Sequence, residues 1–231
     1  MFLKRISLIL IAPFVLGLSP ALSADLISSP LSGPNLSWTG GYVGAAGGYG
    51  WGNAHHRLDD LDVTISNRVN GSLFGFYGGY NYQFDNNVVL GIETDFTWSG
   101  QEGGPDGFVL CTCSPPNYVS ADLEWNASLR GRLGLAVDRF LPYLSGGMAI
   151  GRIRGLYDYV NVDGEINETA TGWTLGAGIE YAAAANVTLR FEYRFSDFGS
   201  VARQPFLPAF ANEQTLRLTS RDLRVGIAYR F

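Results

Sequence analysis

Residues 121–137 read ADLEWNASLRGRLGLAV, and this stretch decides the fold. Its odd positions are Leu123, Trp125, Ala127, Leu129, Gly131, Leu133, Leu135 and Val137, all apolar or glycine. Its even positions include Asp122, Glu124, Arg130 and Arg132. A period of two with chemically opposite faces is the mark of a β-strand between two different surroundings. The pattern recurs along the chain. Phe74, Phe76, Tyr80, Tyr82 and Phe84 alternate with Asn81 and Gln83, and Leu90, Ile92, Phe96 and Trp98 with Glu93 and Asp95. Trp173, Leu175, Ile179 and Tyr181 oppose Thr174 and Glu180, while Leu189, Phe191, Tyr193 and Phe195 oppose Arg190, Glu192 and Arg194. The last strand sets Leu223, Val225, Ile227, Tyr229 and Phe231 against Asp222, Arg224 and Arg230. Gly/Ala-rich strands over 40–51 and 141–150, whose facing is ambiguous, bring the expected number to eight.

The connections alternate in length. Residues 85–87, 138–140 and 183–186 are tight turns, whereas 52–70, 99–120, 152–170 and 199–219 are long and polar. Short turns at one end and long loops at the other describe an up-and-down meander. Alternation alone does not say which face meets water, because a sandwich buries its apolar side and a membrane barrel exposes it. Three features favour the barrel. The polar faces pair carboxylates with arginines and contain no lysine, as suits a closed interior. The strands are long enough to cross a bilayer at a tilt. Aromatics gather at strand ends, where interfacial girdles lie. The expected fold is therefore all-β: an eight-stranded antiparallel transmembrane β-barrel with short periplasmic turns and four long extracellular loops.

Composition agrees. Of 231 residues, 16% are charged and 13% aromatic, which opposes disorder. A net charge of −5 without a basic run opposes a nucleic-acid binder. Lys4 and Arg5 followed by an apolar stretch over 6–18 and small residues around 20–24 have the proportions of a secretory signal peptide. Cleavage is expected after Ala24, with Ala21 the alternative. Residues 25–37 then form a periplasmic leader, and 38–231 the barrel.

Several motifs carry the likeness of a known family. WTGGYVGAAGGYGW (38–51), SLRGRLG (128–134), LPYLSGG (141–147), GWTLGAGIEY (172–181) and RVGIAYRF (224–231) together resemble the alphaproteobacterial outer-membrane immunogenic proteins, small porin-like surface barrels. The resemblance covers 38–231 and implies a cell-outer-membrane location with outer-membrane lipid and lipopolysaccharide around the barrel. It also implies a surface-antigen or envelope-stabilising role, with haem binding in some members, and brings no catalytic residues and no cofactor. The terminal aromatic, with Leu223, Val225, Ile227, Tyr229 and Phe231 on one face, looks like the signal read by the barrel-assembly machinery.

The remaining candidates are few. Glu93, Asp95, Asp122, Glu124, Glu180, Glu192 and Asp222 are expected to share the lumen with Arg130, Arg132, Arg190, Arg194, Arg224 and Arg230, as a paired polar core or as a narrow ion path. Eight strands leave an interior just wide enough for side chains, which favours the core. Cys111 and Cys113 could close a small strained disulfide in an oxidising compartment, remain free thiols, or bind metal. His55-His56, near Asp59, Asp60 and Asp62, form either a solvated loop or a metal or haem site. No nucleophile elbow or phosphate loop accompanies them. Three readings follow: a structural surface barrel without catalysis, a small-solute or ion porin, and a loop-based binder of haem or a host molecule. The oligomeric state is not encoded in any of these features.

Overall fold

The computed structural model describes residues 36–58, 63–103, 118–159, 162–203 and 214–231. Eight strands follow in order: β1 Gly40–Leu58, β2 Val63–Gln83, β3 Val88–Gln101, β4 Tyr118–Leu135, β5 Phe140–Tyr159, β6 Val162–Ala182, β7 Val187–Arg203 and β8 Gln214–Arg230. Each pairs antiparallel with its neighbours, and β1 pairs β8 from Tyr42↔Arg230 to Leu58↔Gln214, so the sheet closes. Closure satisfies every strand edge within the sheet, which hydrocarbon surroundings require.

Two of the three tight turns form where the sequence permits a left-handed residue. Asn87 (φ 64°) and Asp138 (φ 51°) occupy that region, which short polar side chains tolerate best. At the first turn the Phe84 N–H donates to the Val88 carbonyl at 2.8 Å. At the second, Val137 and Phe140 exchange both backbone hydrogen bonds.

Two of the long connections are mostly ladder rather than loop. β1 and β2 stay paired to Leu58↔Val63, and β5 and β6 to Tyr159↔Val162. Their upper portions lack the two-faced alternation because they stand beyond the apolar belt. A strand without lipid on one face has no reason to keep an apolar stripe there.

The outer surface carries that belt: Val43, Phe76, Ile92, Leu133, Leu144, Leu175, Phe191 and Val225 are all exposed. Toward the loop end the polarity inverts. Outward positions become Arg68, Asn70, Arg152, Asn167, Thr169 and Arg217. Inward positions become Ala54, Val69, Leu123, Ile153, Ala170, Phe198 and Leu218, which pack as one buried apolar cluster. The switch marks the level at which the surroundings of the barrel change from lipid to water.

The interior thus has three layers. At the turn end Trp38, Val89, Leu141 and Ala182 form an apolar floor with Leu36 and Ala136 against it. The Trp38 backbone N–H donates to Gln83 Oε1 at 2.7 Å, and the Arg230 guanidinium lies 4.9 Å from the centre of the Trp38 ring. The apolar cluster closes the loop end. Charged side chains fill the space between.

Candidate functional site: the charged core

Inward positions on five strands place ten charges within contact. Glu93 and Asp95 come from β3, Arg130 and Arg132 from β4, and Glu180 from β6. Arg190, Glu192 and Arg194 come from β7, and Asp222 and Arg224 from β8. Five carboxylates meet five guanidinium groups, and all ten residues are buried. Charges this far from water persist only when paired and hydrogen-bonded.

The contacts form one continuous network. Glu93 accepts from Arg130, from Arg190 at 2.6 Å and from the Tyr42 hydroxyl at 2.7 Å. Arg132 donates to Glu180 at 2.8 Å and to Tyr42 Oη at 2.6 Å. Arg130 also donates to Glu192 and to Ser145 Oγ, each at 2.9 Å. Arg194 joins Glu192 at 2.9 Å to Asp95 at 2.8 Å, and Asp95 further accepts from Ser128. Above them Arg224 donates to Asp222 at 2.7 Å and to Thr97 Oγ1 at 2.8 Å. Gln101 and Ser220 complete the shell of Asp222.

Three tyrosines tie the other strands in. Tyr143 donates to Glu192 at 2.6 Å, and its ring lies 4.1 Å from the Arg132 guanidinium. The Arg190 guanidinium stacks 3.9 Å from the Tyr77 ring centre. These rings lie flat across neighbouring strands because glycine leaves the room. A Cβ on Gly178 would stand 2.6 Å from Tyr143 Oη, and one on Gly44 2.6 Å from Tyr77 Cζ. A cavity of about 10 Å³ beside Tyr77, Thr97, Arg190 and Arg224 has room for about one water.

The structure places three of the expected lumen charges elsewhere. One extra residue at Glu124 shifts the β4–β5 register between Leu123 and Trp125, so the alternation read from Asn126 onward does not continue below it. Leu123 turns inward, while Glu124 sits partly exposed with Arg152 at 3.3 Å. Asp122 accepts from the Gly103 N–H at 3.1 Å at the loop-end rim, outside the ten-charge network. Arg230 covers the floor at Trp38 and reaches the Ser37 carbonyl, apart from the carboxylates.

Sequence reasoning passed over Tyr42, Tyr77 and Tyr143, although the last two share a face with Asn81 and Ser145. Tyr42 lies on a strand of glycine and alanine, where periodicity carries no signal. Leu223, Val225, Ile227, Tyr229 and Phe231 project outward on one face of β8, and the Phe231 N–H pairs with the Gly41 carbonyl at 2.9 Å. Cys111 and Cys113 lie outside the described residues. His55 is in β1, paired with Ser66 and Arg217 in the ladders. Among the described residues, no group of three His, Cys, Asp or Glu is placed to hold a metal ion.

The family model described as outer membrane protein beta-barrel domain matches residues 14–231. The chain is 35% identical to the 31 kDa outer-membrane immunogenic protein of Brucella melitensis biotype 1, over 91% of this chain and 93% of the relative. It is 30% identical to the 25 kDa outer-membrane immunogenic protein of Brucella abortus biovar 1, over 86% and 81%. It is 32% identical to the 22 kDa outer membrane protein of Rhizobium leguminosarum bv. viciae, over 72% and 67%.

Proposed function

We propose that this chain, which belongs to the outer membrane protein β-barrel domain family and resides in the outer membrane, is a structural surface protein that stabilises the envelope. The charged core carries this reading. Five positive and five negative side chains neutralise one another between two apolar layers, so among the described residues this charged layer offers a permeating ion no unpaired charge. Breaking such a network to pass a solute would leave buried charges without partners, at a cost of ~3–5 kcal/mol for each pair broken. The same pairing argues for a barrel without catalysis: the five carboxylates of the core are engaged by arginines, which leaves none of them poised for proton transfer.

The outer end supports a display role, since two paired ribbons, β1–β2 and β5–β6, rise beyond the apolar belt. Antigenicity is the property named in the Brucella relatives. The partners this role requires are lipopolysaccharide around the belt and the barrel-assembly machinery at the closing strand. Two measurements test the proposal together. The purified barrel in a planar bilayer should give no steady conductance steps, and a deletion strain should become more sensitive to detergent and be restored by the intact gene. Sizeable single-channel steps, or a deletion strain with unchanged sensitivity, overturn the structural reading.

A further inference from the structure

Arg221 lies on the outward face of β8, in line with Leu223, Val225 and Ile227, and therefore faces the lipid side of the barrel. Its neighbours across the ladders are Trp51 on β1 and Phe195 on β7. The guanidinium rests 5.5 Å from the Phe195 ring centre. Phe195 in turn packs on Trp173 at 5.3 Å, and Trp51 on Tyr193 at 6.4 Å. The result is a cation held on an aromatic shelf.

The height of this shelf follows from β8 itself. From Tyr229 to Arg221 the strand climbs eight residues, about 27 Å along its own axis and ~21 Å along the barrel at a 40° tilt. An apolar band is roughly 25 Å tall, so Arg221 stands at its outer-leaflet edge. The inversion of facing agrees, since the next outward positions on β8 are Thr219 and Arg217.

Arg221 differs from the arginines around it in its partners. Arg152 is paired with Glu124, and Arg217 with Asp197. Among the described residues Arg221 has the Phe195 ring and no carboxylate. A guanidinium fixed at the hydrocarbon edge without a protein anion is stable there if the lipid supplies one, and its fork geometry suits a phosphate.

We propose that Arg221, with the shelf of Trp51, Trp173, Tyr193 and Phe195, is a binding site for a phosphate on the glycolipid headgroup of the outer leaflet. The phosphate accepts from the guanidinium, and the aromatic rings pack against the first carbons of the acyl chains and the sugar. The site rests on the outer-membrane reading above but not on the sealed core. A conducting barrel would leave it intact, and its loss would leave the core closed.

The test uses the exported chain, extracted from the outer membrane, stripped of lipid in detergent and titrated by native mass spectrometry. The probes are diphosphorylated lipid A, phosphatidylglycerol and inorganic phosphate. Wild type should bind lipid A about tenfold more tightly than either other probe, and Arg221→Gln should weaken lipid A binding by about tenfold, the range expected for one charge-assisted contact. Arg139→Gln, in the tight turn between β4 and β5 at the opposite end of the barrel from the shelf, should bind as wild type does. Heat-dependent gel mobility reports folding of each variant. Should Arg221→Gln fail to fold, Phe195→Leu keeps an apolar side chain but removes the ring, and should weaken binding about threefold. Unchanged binding in either folded variant, an equal loss in Arg139→Gln, or equal binding of phosphatidylglycerol or inorganic phosphate overturns the proposal.

Discussion

Replacing Glu93 by glutamine removes one negative charge from a core that holds five of each sign, with almost no change of volume. Glu93 is engaged on both oxygens: it meets Arg130, Arg190 and Tyr42, and lies 3.4 Å from Arg132. At an effective dielectric of ~20, a charge contact near 3 Å is worth ~5 kcal/mol gross. Desolvation of the carboxylate offsets most of this, and glutamine avoids that cost. What remains is an uncompensated positive charge shared by three buried arginines, for which a net loss of ~3–5 kcal/mol is expected. Adding Arg130→Gln restores parity at four of each sign, so the double variant should lose less than the two single losses combined, by about 1 kcal/mol or more. The assay is urea-dependent folding into lipid vesicles, followed by tryptophan fluorescence and gel mobility, with midpoints compared at constant slope. A loss under about 1 kcal/mol for Glu93→Gln, or full additivity in the double variant, would refute the view that charge balance holds the core.

Three further outcomes are expected. Trp38→Ala should cost ~3–5 kcal/mol in the same folding assay, because Trp38 is the largest side chain of the apolar floor, and a loss under ~1 kcal/mol would show that the floor is dispensable. Gly178→Ala should destabilise by ~1–3 kcal/mol in the same assay, because the new methyl would stand 2.6 Å from Tyr143 Oη and 2.7 Å from the Phe191 carbonyl oxygen, and an unchanged midpoint would show that the ring has room to shift. Deleting Phe231 should lower the amount of folded barrel in the outer membrane while export continues, as cell fractionation would show; full outer-membrane levels would remove any assembly role for the terminal aromatic.

Strand count, closure and the identity of the lipid face were legible because alternation between lipid and a polar lumen writes itself into every second residue. On β4 this works from Asn126 to Leu135 and then misleads. One inserted residue at Glu124 turns Leu123 inward and leaves Asp122 and Glu124 at the rim, and no composition signal marks a bulge. Tyr42 was hidden for another reason: glycine on both faces of β1 erases the contrast on which periodicity depends. The upper ribbons were read as loops since alternation ends where lipid ends, although backbone pairing does not. The network itself was legible as a set of residue types, but not as a set of partners. Which arginine meets which carboxylate depends on strand stagger, fixed by pairings such as Glu93↔Arg130 and Glu192↔Arg224.

The inversion of facing along the barrel has a mechanical consequence for the bilayer. Below the switch, a vertical slip would carry buried arginines toward no new solvent but would drag Arg152 and Arg217 into hydrocarbon. In the other direction, Trp98, Trp173 and Leu223 would rise into water. Both displacements are resisted, so the protein has one draught in the membrane. A rigid closed sheet cannot shorten its own belt, and hydrophobic mismatch must then be met by the lipids, which thin or thicken around it. Many copies of such a barrel would impose a common thickness on the leaflets between them, set by the depth at which each copy floats.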